Sequence, residues 1–183
     1  LAARTLDKKA RGALKRAAKA EQFDGKKGKM LIITAPAGLS YSHVVVYGLG
    51  KGADLKAADF EKAGTALLGA LNARRAAAAD IIFDVPAVQL KGITPELAVT
   101  HMALAARLSS YRFDKYMTKE PKDKKPTLKS LSFATDEAHK AKRLFENPAM
   151  AAEAIFMTRD LVSEAPNVLY PESFANIIKK ELS

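Results

Sequence analysis

The residues that could do chemistry are few, and their spacing forms no catalytic group. The three histidines, His43, His101 and His139, contain no pair four residues apart, so the spacing predicts no helical zinc site. His101 shares a predicted helix face with leucines, which is typical of a hydrogen-bonded core histidine. Cysteine is absent, which excludes disulfides, thiolate metal ligands and a cysteine nucleophile. A histidine metal site would therefore need residues that are distant in the sequence to come together, which spacing alone does not predict.

The carboxylates and serines give no better candidates. Asp80 and Asp84 lie four residues apart on a predicted strand, which separates them by about 13 Å on one face. That distance is too large for two carboxylates that share a proton or flank one glycosidic bond. We interpret both as residues that terminate the strand. No serine lies in a G-x-S-x-G elbow.

A glycine-rich turn at 48–53 follows a predicted strand and fits the pattern G-x-G-x-x-A. In dinucleotide-binding proteins such glycines let backbone amides approach a phosphate at a helix start. Here the next predicted helix begins several residues later, which favours a plain strand-exit turn. A nucleotide-binding or ADP-ribose-binding module remains an alternative.

Aromatic residues cluster at 111–116, in the order Tyr-Arg-Phe-Asp-Lys-Tyr. They could stack on a nucleic-acid base, or they could hold a loop to the body of the protein. We favour the tether, because aromatic residues at alternating positions also describe a half-buried segment.

The positive charge is concentrated in two segments. The chain of 183 residues carries 30 Lys and Arg against 20 Asp and Glu, a net charge of +10. Residues 1–29 hold ten basic and three acidic side chains, and residues 112–129 hold seven and three. Such segments can bind nucleic acid weakly and without sequence preference. A basic DNA-binding module is therefore a second alternative, although solvated surface lysines are the interpretation we favour.

The hydrophobic pattern predicts a three-layer α/β/α fold with a mixed, mostly parallel sheet. No apolar run approaches the roughly 18 residues of a membrane-spanning helix. Thr94 and Pro95 mark one helix start, and Thr135 is the expected N-cap of another. The predicted strands are 30–34, 43–48, 79–86 and 128–133. The predicted helices are 6–20, 56–75, 95–109, a short helix ending at 145, a longer one starting at 147, and 171–182 after an extended linker at 165–171.

Three strings, 46–51, 111–116 and 158–171, together resemble the leucyl aminopeptidase (cytosol aminopeptidase) family. The resemblance covers essentially the whole chain. It implies a macro-domain-like N-terminal domain at 1–163, followed at 164–183 by a linker and the first helix leading toward an absent C-terminal catalytic domain. The implied function is that of a non-catalytic domain with a role in assembly and in access to the catalytic core.

The same resemblance implies properties of the parent protein. It would be a cytoplasmic homo-hexamer that removes N-terminal amino acids from peptides with two zinc or manganese ions. Its metal ligands and catalytic residues belong to the other domain, so the resemblance implies no catalytic, cofactor-binding or metal-binding residue in this chain. The isolated chain should therefore be inactive. The chain opens at Leu1 without a start methionine, and we expect its true N-terminus to be missing.

Overall fold

The computed structural model describes residues 2–181, apart from the side chain of Lys122. Within that range the chain forms six α-helices and four β-strands. The predicted end of the last helix at Leu182 lies outside the described residues. In chain order the elements are α1 Ala2–Lys9, α2 Ala13–Ala20, β1 Met30–Thr34, β2 His43–Tyr47, α3 Ala57–Ala73, β3 Ala78–Ile82, α4 Pro95–Ser109, β4 Ser130–Ala134, α5 Ala138–Ser163 and α6 Pro171–Glu181.

The four strands form two pairs of opposite kind. β1 and β2 are antiparallel, with Met30 opposite Tyr47. β3 and β4 are parallel, with Ala78 opposite Ser130. All four predicted strands are present, and the mixture of strand directions is confirmed, with one of the two pairings parallel.

Helices cover both faces of the β1–β2 pair. On one face, Val45 and Tyr47 pack against the cluster around Phe60 of α3, the one large side chain that is fully buried among the described residues. On the opposite face, Val44 packs against Ala10 and Leu14 from the α1–α2 segment. The predicted α/β class is confirmed, because alternate residues of one strand face two different helix layers.

The β3–β4 pair is covered on one face only. Ile81 and Phe133 pack into the same cluster as Phe60. Their neighbours on the other face, among them Asp80 and Ile82, are exposed. The helical layer formed by α1 and α2 therefore covers only half of the strands.

The predicted helix at 6–20 is wrong in one respect, because the chain breaks at Arg11 and Gly12. Both residues have positive φ angles, 51° and 76°. Arg11 N donates to Lys8 O, and Gly12 N donates to Asp7 O, which is the Schellman arrangement that ends a helix. The apolar periodicity hides this break, since residues on both sides of it face β2.

The two helices predicted around Asn147 and Pro148 form one continuous helix, α5, so that boundary is also wrong. Its N-cap is Glu137 rather than Thr135. An interior proline costs about 3 kcal/mol in an isolated helix. Packing along α4, with Ala152 completely buried, offsets that cost. The helix start at Thr94 is confirmed, as its Oγ1 accepts from Leu97 N at 3.4 Å.

The chain exposes more surface than a compact protein of its mass. Its accessible surface is 12430 Å². The scaling for folded monomers gives about 8600 Å² at this mass. The excess shows that the chain is packed less compactly than a typical folded monomer of this mass.

Candidate functional site

The loop at 111–120, between α4 and β4, is held against the carboxyl end of α5. Tyr111 packs its ring 5.3 Å from that of Phe156, and its hydroxyl donates to Asp160 Oδ1 at 2.9 Å. The guanidinium of Arg159 lies 5.2 Å from the centre of the same ring. We call this loop, together with the side chains on α5 and Glu164 that hold it, the linker clamp.

Glu164 is the centre of the linker clamp. One carboxylate oxygen accepts from Lys115 Nζ at 2.5 Å. The other accepts from the Tyr116 hydroxyl and from the Ala165 amide, the latter at 3.0 Å. These donors, Lys115 first, lower the pKa of Glu164 to about 2. The Glu164 side chain is 12% exposed, so the clamp holds a nearly covered carboxylate at the point where α5 ends.

Arg112 stabilises the loop from within. Its guanidinium pairs with Glu120 and lies 3.6 Å from Asp114. The hydrogen bond to Glu120 raises the pKa of Arg112, and the same bond lowers the pKa of Glu120. Phe113 and Tyr116 pack edge to face at 5.8 Å. The tether interpretation of 111–116 is therefore confirmed, since the aromatic and charged residues bind the protein itself.

The segment after the clamp turns rather than extends. The amides of Val168 and Leu169 both donate to Ala165 O at 2.9 Å. Pro166 and Asn167 occupy the central positions of this turn, where they are favoured. The predicted extended linker is wrong at these residues, because the turn chemistry of Pro-Asn outweighs the preference of proline for extended neighbours.

Apolar side chains are exposed on both sides of this turn. Val162, near the end of α5, is 83% exposed, and Phe174 of α6 is 44% exposed. Val168 and Tyr170, in the segment between the helices, are exposed as well. No residue of α6 is buried. We call these four side chains and the apolar side of α6 the docking surface.

The glycine-rich turn uses its amides within the protein. Gly48 N donates to Lys29 O at 2.8 Å, and Gly50 N donates to Gly25 O at 2.9 Å. A Cβ at Gly52 would lie 2.5 Å from Gln89 O, so this glycine permits two loops to approach closely. The turn has the geometry of a strand exit, because two of the amides that would bind a phosphate already donate to carbonyls.

The histidines and aspartates singled out by sequence lie apart. His101 Nδ1 lies 2.9 Å from Glu61 Oε1 and joins α4 to α3, while His43 Nδ1 contacts Ser42 Oγ at 3.2 Å. Asp80 lies in the middle of β3, so it does not terminate the strand. Asp84 follows the strand and accepts from Ala3 N at 2.9 Å. Across residues 2–181, no group of three or more His, Asp or Glu side chains is placed to hold a metal ion.

Sequence reasoning missed two carboxylates that fix local structure. Buried Asp7 accepts from Leu14 N and Lys15 N and caps α2. The feature of the sequence that could have revealed this cap is the position of Asp7, five residues before Gly12. Glu164 lies at a helix carboxyl end, where the helix dipole disfavours a negative charge. That position was a signal that a cation, here Lys115, must compensate the carboxylate.

None of the helices in the described part of the chain is both long enough and apolar enough to span a membrane.

Comparison with known proteins identifies the family. The N-terminal domain of the cytosol aminopeptidase family matches residues 1–120. A probable cytosol aminopeptidase from Bradyrhizobium is 37% identical over 88% of the chain, and one from Rhodopseudomonas palustris is 39% identical over 89%. The chain spans about a third of the length of these relatives, 32% in both cases.

Solved structures agree with this assignment. The bottromycin maturation enzyme BotP, in complex with Mn, superposes with a TM-score of 0.68 at 25% identity, over 89% of this chain and 32% of its own. A mutant of tomato leucine aminopeptidase has a TM-score of 0.72 over 96% of this chain and 33% of its own, and at 21% identity it supports the fold alone. The α/β fold, the whole-chain resemblance and the family match agree: the chain belongs to the cytosol aminopeptidase family and is its N-terminal domain.

Proposed function

We propose that this chain is the non-catalytic N-terminal domain of a metal-dependent aminopeptidase. In this proposal, residues 1–163 form the domain body, and residues 164–183 lead to a C-terminal catalytic domain. The chain contributes to assembly and to access around the catalytic core. The family match, together with the third of the relatives' length that the chain spans, supports this division.

The observation that carries the proposal is the docking surface. Val162 and Phe174 are large apolar side chains left in water on either side of the turn. Large apolar side chains left exposed in one region of the chain are typical of a protein interaction site. The linker clamp adjoins it, and Glu164 fixes the point from which the chain leaves α5. We infer that the clamp sets the direction of the linker and that the docking surface packs on the catalytic domain.

The proposed parent is a cytoplasmic homo-hexamer that releases N-terminal amino acids from peptides. Two divalent ions, zinc or manganese, would activate a water molecule and polarise the scissile carbonyl. The described residues of this chain do not fit such a site, since they offer no group of metal ligands. We therefore place the ions in the catalytic domain and assign no catalytic step to this chain.

An activity assay tests the proposal that catalysis belongs to the C-terminal domain and not to this chain. The purified 183-residue chain and the full polypeptide of its gene are each assayed for hydrolysis of leucine p-nitroanilide with added manganese. We expect turnover by the full polypeptide and none by the chain. Robust turnover by the chain alone would overturn the proposal, and an inactive full polypeptide would contradict the assignment of the parent activity.

A second candidate function is weak binding of nucleic acid. Lys8, Lys15 and Lys19 are exposed on α1 and α2, within the more basic of the two segments. Binding through such lysines falls steeply with salt, with a slope that reflects the number of phosphates contacted. Reversing the charge of all three should reduce both the affinity and the salt slope, as measured by fluorescence anisotropy with duplex DNA. Absent or salt-insensitive binding at low ionic strength would dismiss this function.

A further inference from the structure

Two of the five methionines are exposed to solvent. Met117, in the loop at 111–120, is 52% exposed, and Met150, in α5, is 64% exposed. Met102 is buried, and Met30 and Met157 are half-buried. An oxidant dissolved in water must touch the sulfur atom in order to react with it. Met117 and Met150 are therefore the two residues at which a hydroperoxide acts first.

The two exposed sulfur atoms have different surroundings. Arg112 Nη2 donates a hydrogen bond to Met117 Sδ at 3.4 Å. Among the side chains that the structure describes, none donates to Met150 Sδ. A thioether sulfur is a weak acceptor, and a positively charged donor forms the stronger kind of hydrogen bond. Met117 thus has a directional contact that Met150 lacks.

The backbone and the guanidinium on either side of this contact are both anchored. The amide of Met117 donates to Asp114 O at 2.9 Å, and its carbonyl accepts from Glu120 N at 3.4 Å. The guanidinium of Arg112 forms an ion pair with Glu120, whose side chain is 14% exposed. Donor and acceptor are therefore held in one loop with a defined relative position.

The two lone pairs of a methionine sulfur lead to different products. Oxygen added to one lone pair gives one epimer of methionine sulfoxide, and oxygen added to the other gives the opposite epimer. The guanidinium of Arg112 covers one side of Met117 Sδ. The other side is open to water, because more than half of the side chain is exposed. An oxidant therefore approaches Met117 from one side only.

We propose that Met117 is a site of stereoselective oxidation by hydroperoxides, and that Arg112 selects the sulfoxide epimer. With hydrogen peroxide, the open lone pair of Sδ attacks one peroxide oxygen, so that a sulfur–oxygen bond forms and the oxygen–oxygen bond breaks. The proton of the attacked oxygen moves to the leaving oxygen, which departs as water. The sulfur loses two electrons and the peroxide gains them. Arg112 is a positioning residue in this step, and the proposal is independent of the proposed aminopeptidase function.

A single epimer has a consequence for repair of the oxidised chain. Each epimer of methionine sulfoxide is reduced by its own reductase. Oxidation at Met117 would therefore be reversed by one of these enzymes, whereas oxidation at Met150 would require both. The sulfoxide oxygen is also a better acceptor than the thioether, which allows Arg112 to hold the oxidised side chain within the loop.

Peptide mass spectrometry with the two reductases tests the proposal. The folded 183-residue chain is partly oxidised with hydrogen peroxide and digested, and the peptides are divided between the two epimer-specific methionine sulfoxide reductases. Reduction of peptides removes any effect of the fold on the reductases. We expect one enzyme to restore at least roughly ten times as much Met117 as the other. At Met150, the internal control, the two enzymes should restore equal amounts.

Further comparisons separate selection by Arg112 from a general bias. Oxidation of the chain unfolded in urea should give equal amounts of both epimers at Met117. Folded Arg112→Gln should also give equal amounts, whereas Arg107→Gln, which removes an arginine that pairs with Glu153, should keep the original ratio. If Arg112→Gln does not fold, the comparison between the native and the unfolded chain decides.

Four results would overturn the proposal. They are equal epimers at Met117 of the folded chain, the same bias in urea or in folded Arg112→Gln, an equal bias at Met150, and oxidation of Met117 no faster than that of buried Met102.

Discussion

The cluster around Phe60 and the linker clamp hold their parts of the molecule by different forces. The cluster joins α3, α4 and three strands through buried apolar side chains. The clamp joins the loop at 111–120 to α5 through charged and hydroxyl groups around Glu164. Burial of apolar surface stabilises a fold without regard to pH, whereas a carboxylate contributes only while it is ionised. The comparison indicates that the residues around Phe60 are held by apolar packing, whereas the loop at 111–120 is held to α5 by electrostatic interactions.

The largest effect should come from truncating Phe60, the fully buried ring of the cluster. Phe60→Ala should lower the free energy of unfolding by about 3–5 kcal/mol, because it removes buried contacts and leaves a cavity. Urea denaturation followed by circular dichroism measures it. The matched control is Val88→Ala, at a side chain that is 90% exposed, which should change stability by less than about 0.5 kcal/mol. Equal changes in the free energy of unfolding at the two sites would contradict the claim that the cluster around Phe60 holds the fold together.

The contact between α3 and α4 provides a smaller effect with a matched control. A Cβ at Gly64 would lie 2.1 Å from Met102 O, a backbone atom that cannot rotate away. Gly64→Ala should therefore separate the helices and cost about 1–3 kcal/mol. Gly69 lies on the same helix with no heavy atom within 4 Å of the added Cβ. There the same substitution should stabilise the helix by about 0.5–1 kcal/mol. Urea denaturation of both variants measures the two changes in the free energy of unfolding. Changes of the same sign would contradict the close contact between α3 and α4 at Gly64.

The smallest effect on global stability, and the largest on pH dependence, should come from the clamp. The folded pKa of Glu164 lies below its ordinary value of 4.5, at about 2. The stabilisation that ionised Glu164 gives to the folded state is therefore present above pH 4.5 and is lost as the pH falls toward 2. Glu164→Gln should remove this dependence of the free energy of unfolding on pH. Glu137→Gln, at an exposed residue before α5, should leave the dependence in place. NMR titration of the Glu164 carboxyl carbon measures the midpoint. A midpoint near 4.5 would show that the carboxylate is not clamped.

The sequence predicted the body of the domain better than its ends. β1, β2 and α4 were found because short β-branched runs and a Thr-Pro start depend on local residues only. The helix boundary predicted at Pro148 is wrong, since the packing of α5 along α4 is not visible in the local pattern. The break at Gly12 was hidden because both flanking helices face the same strand. The tether at 111–116 was foreseen, but its partner Glu164 was not, as that contact joins residues 48 or more positions apart.

The central claim is that this domain packs on the remainder of its parent through the docking surface. Isothermal titration of the 183-residue chain with the separately produced C-terminal remainder tests it most directly. Phe174→Asp should weaken binding at least about tenfold by burying a charge in an apolar contact. Asn176→Asp adds the same charge on the opposite side of α6 and should leave binding unchanged. Binding that is absent, or equally weakened by both substitutions, would contradict the account.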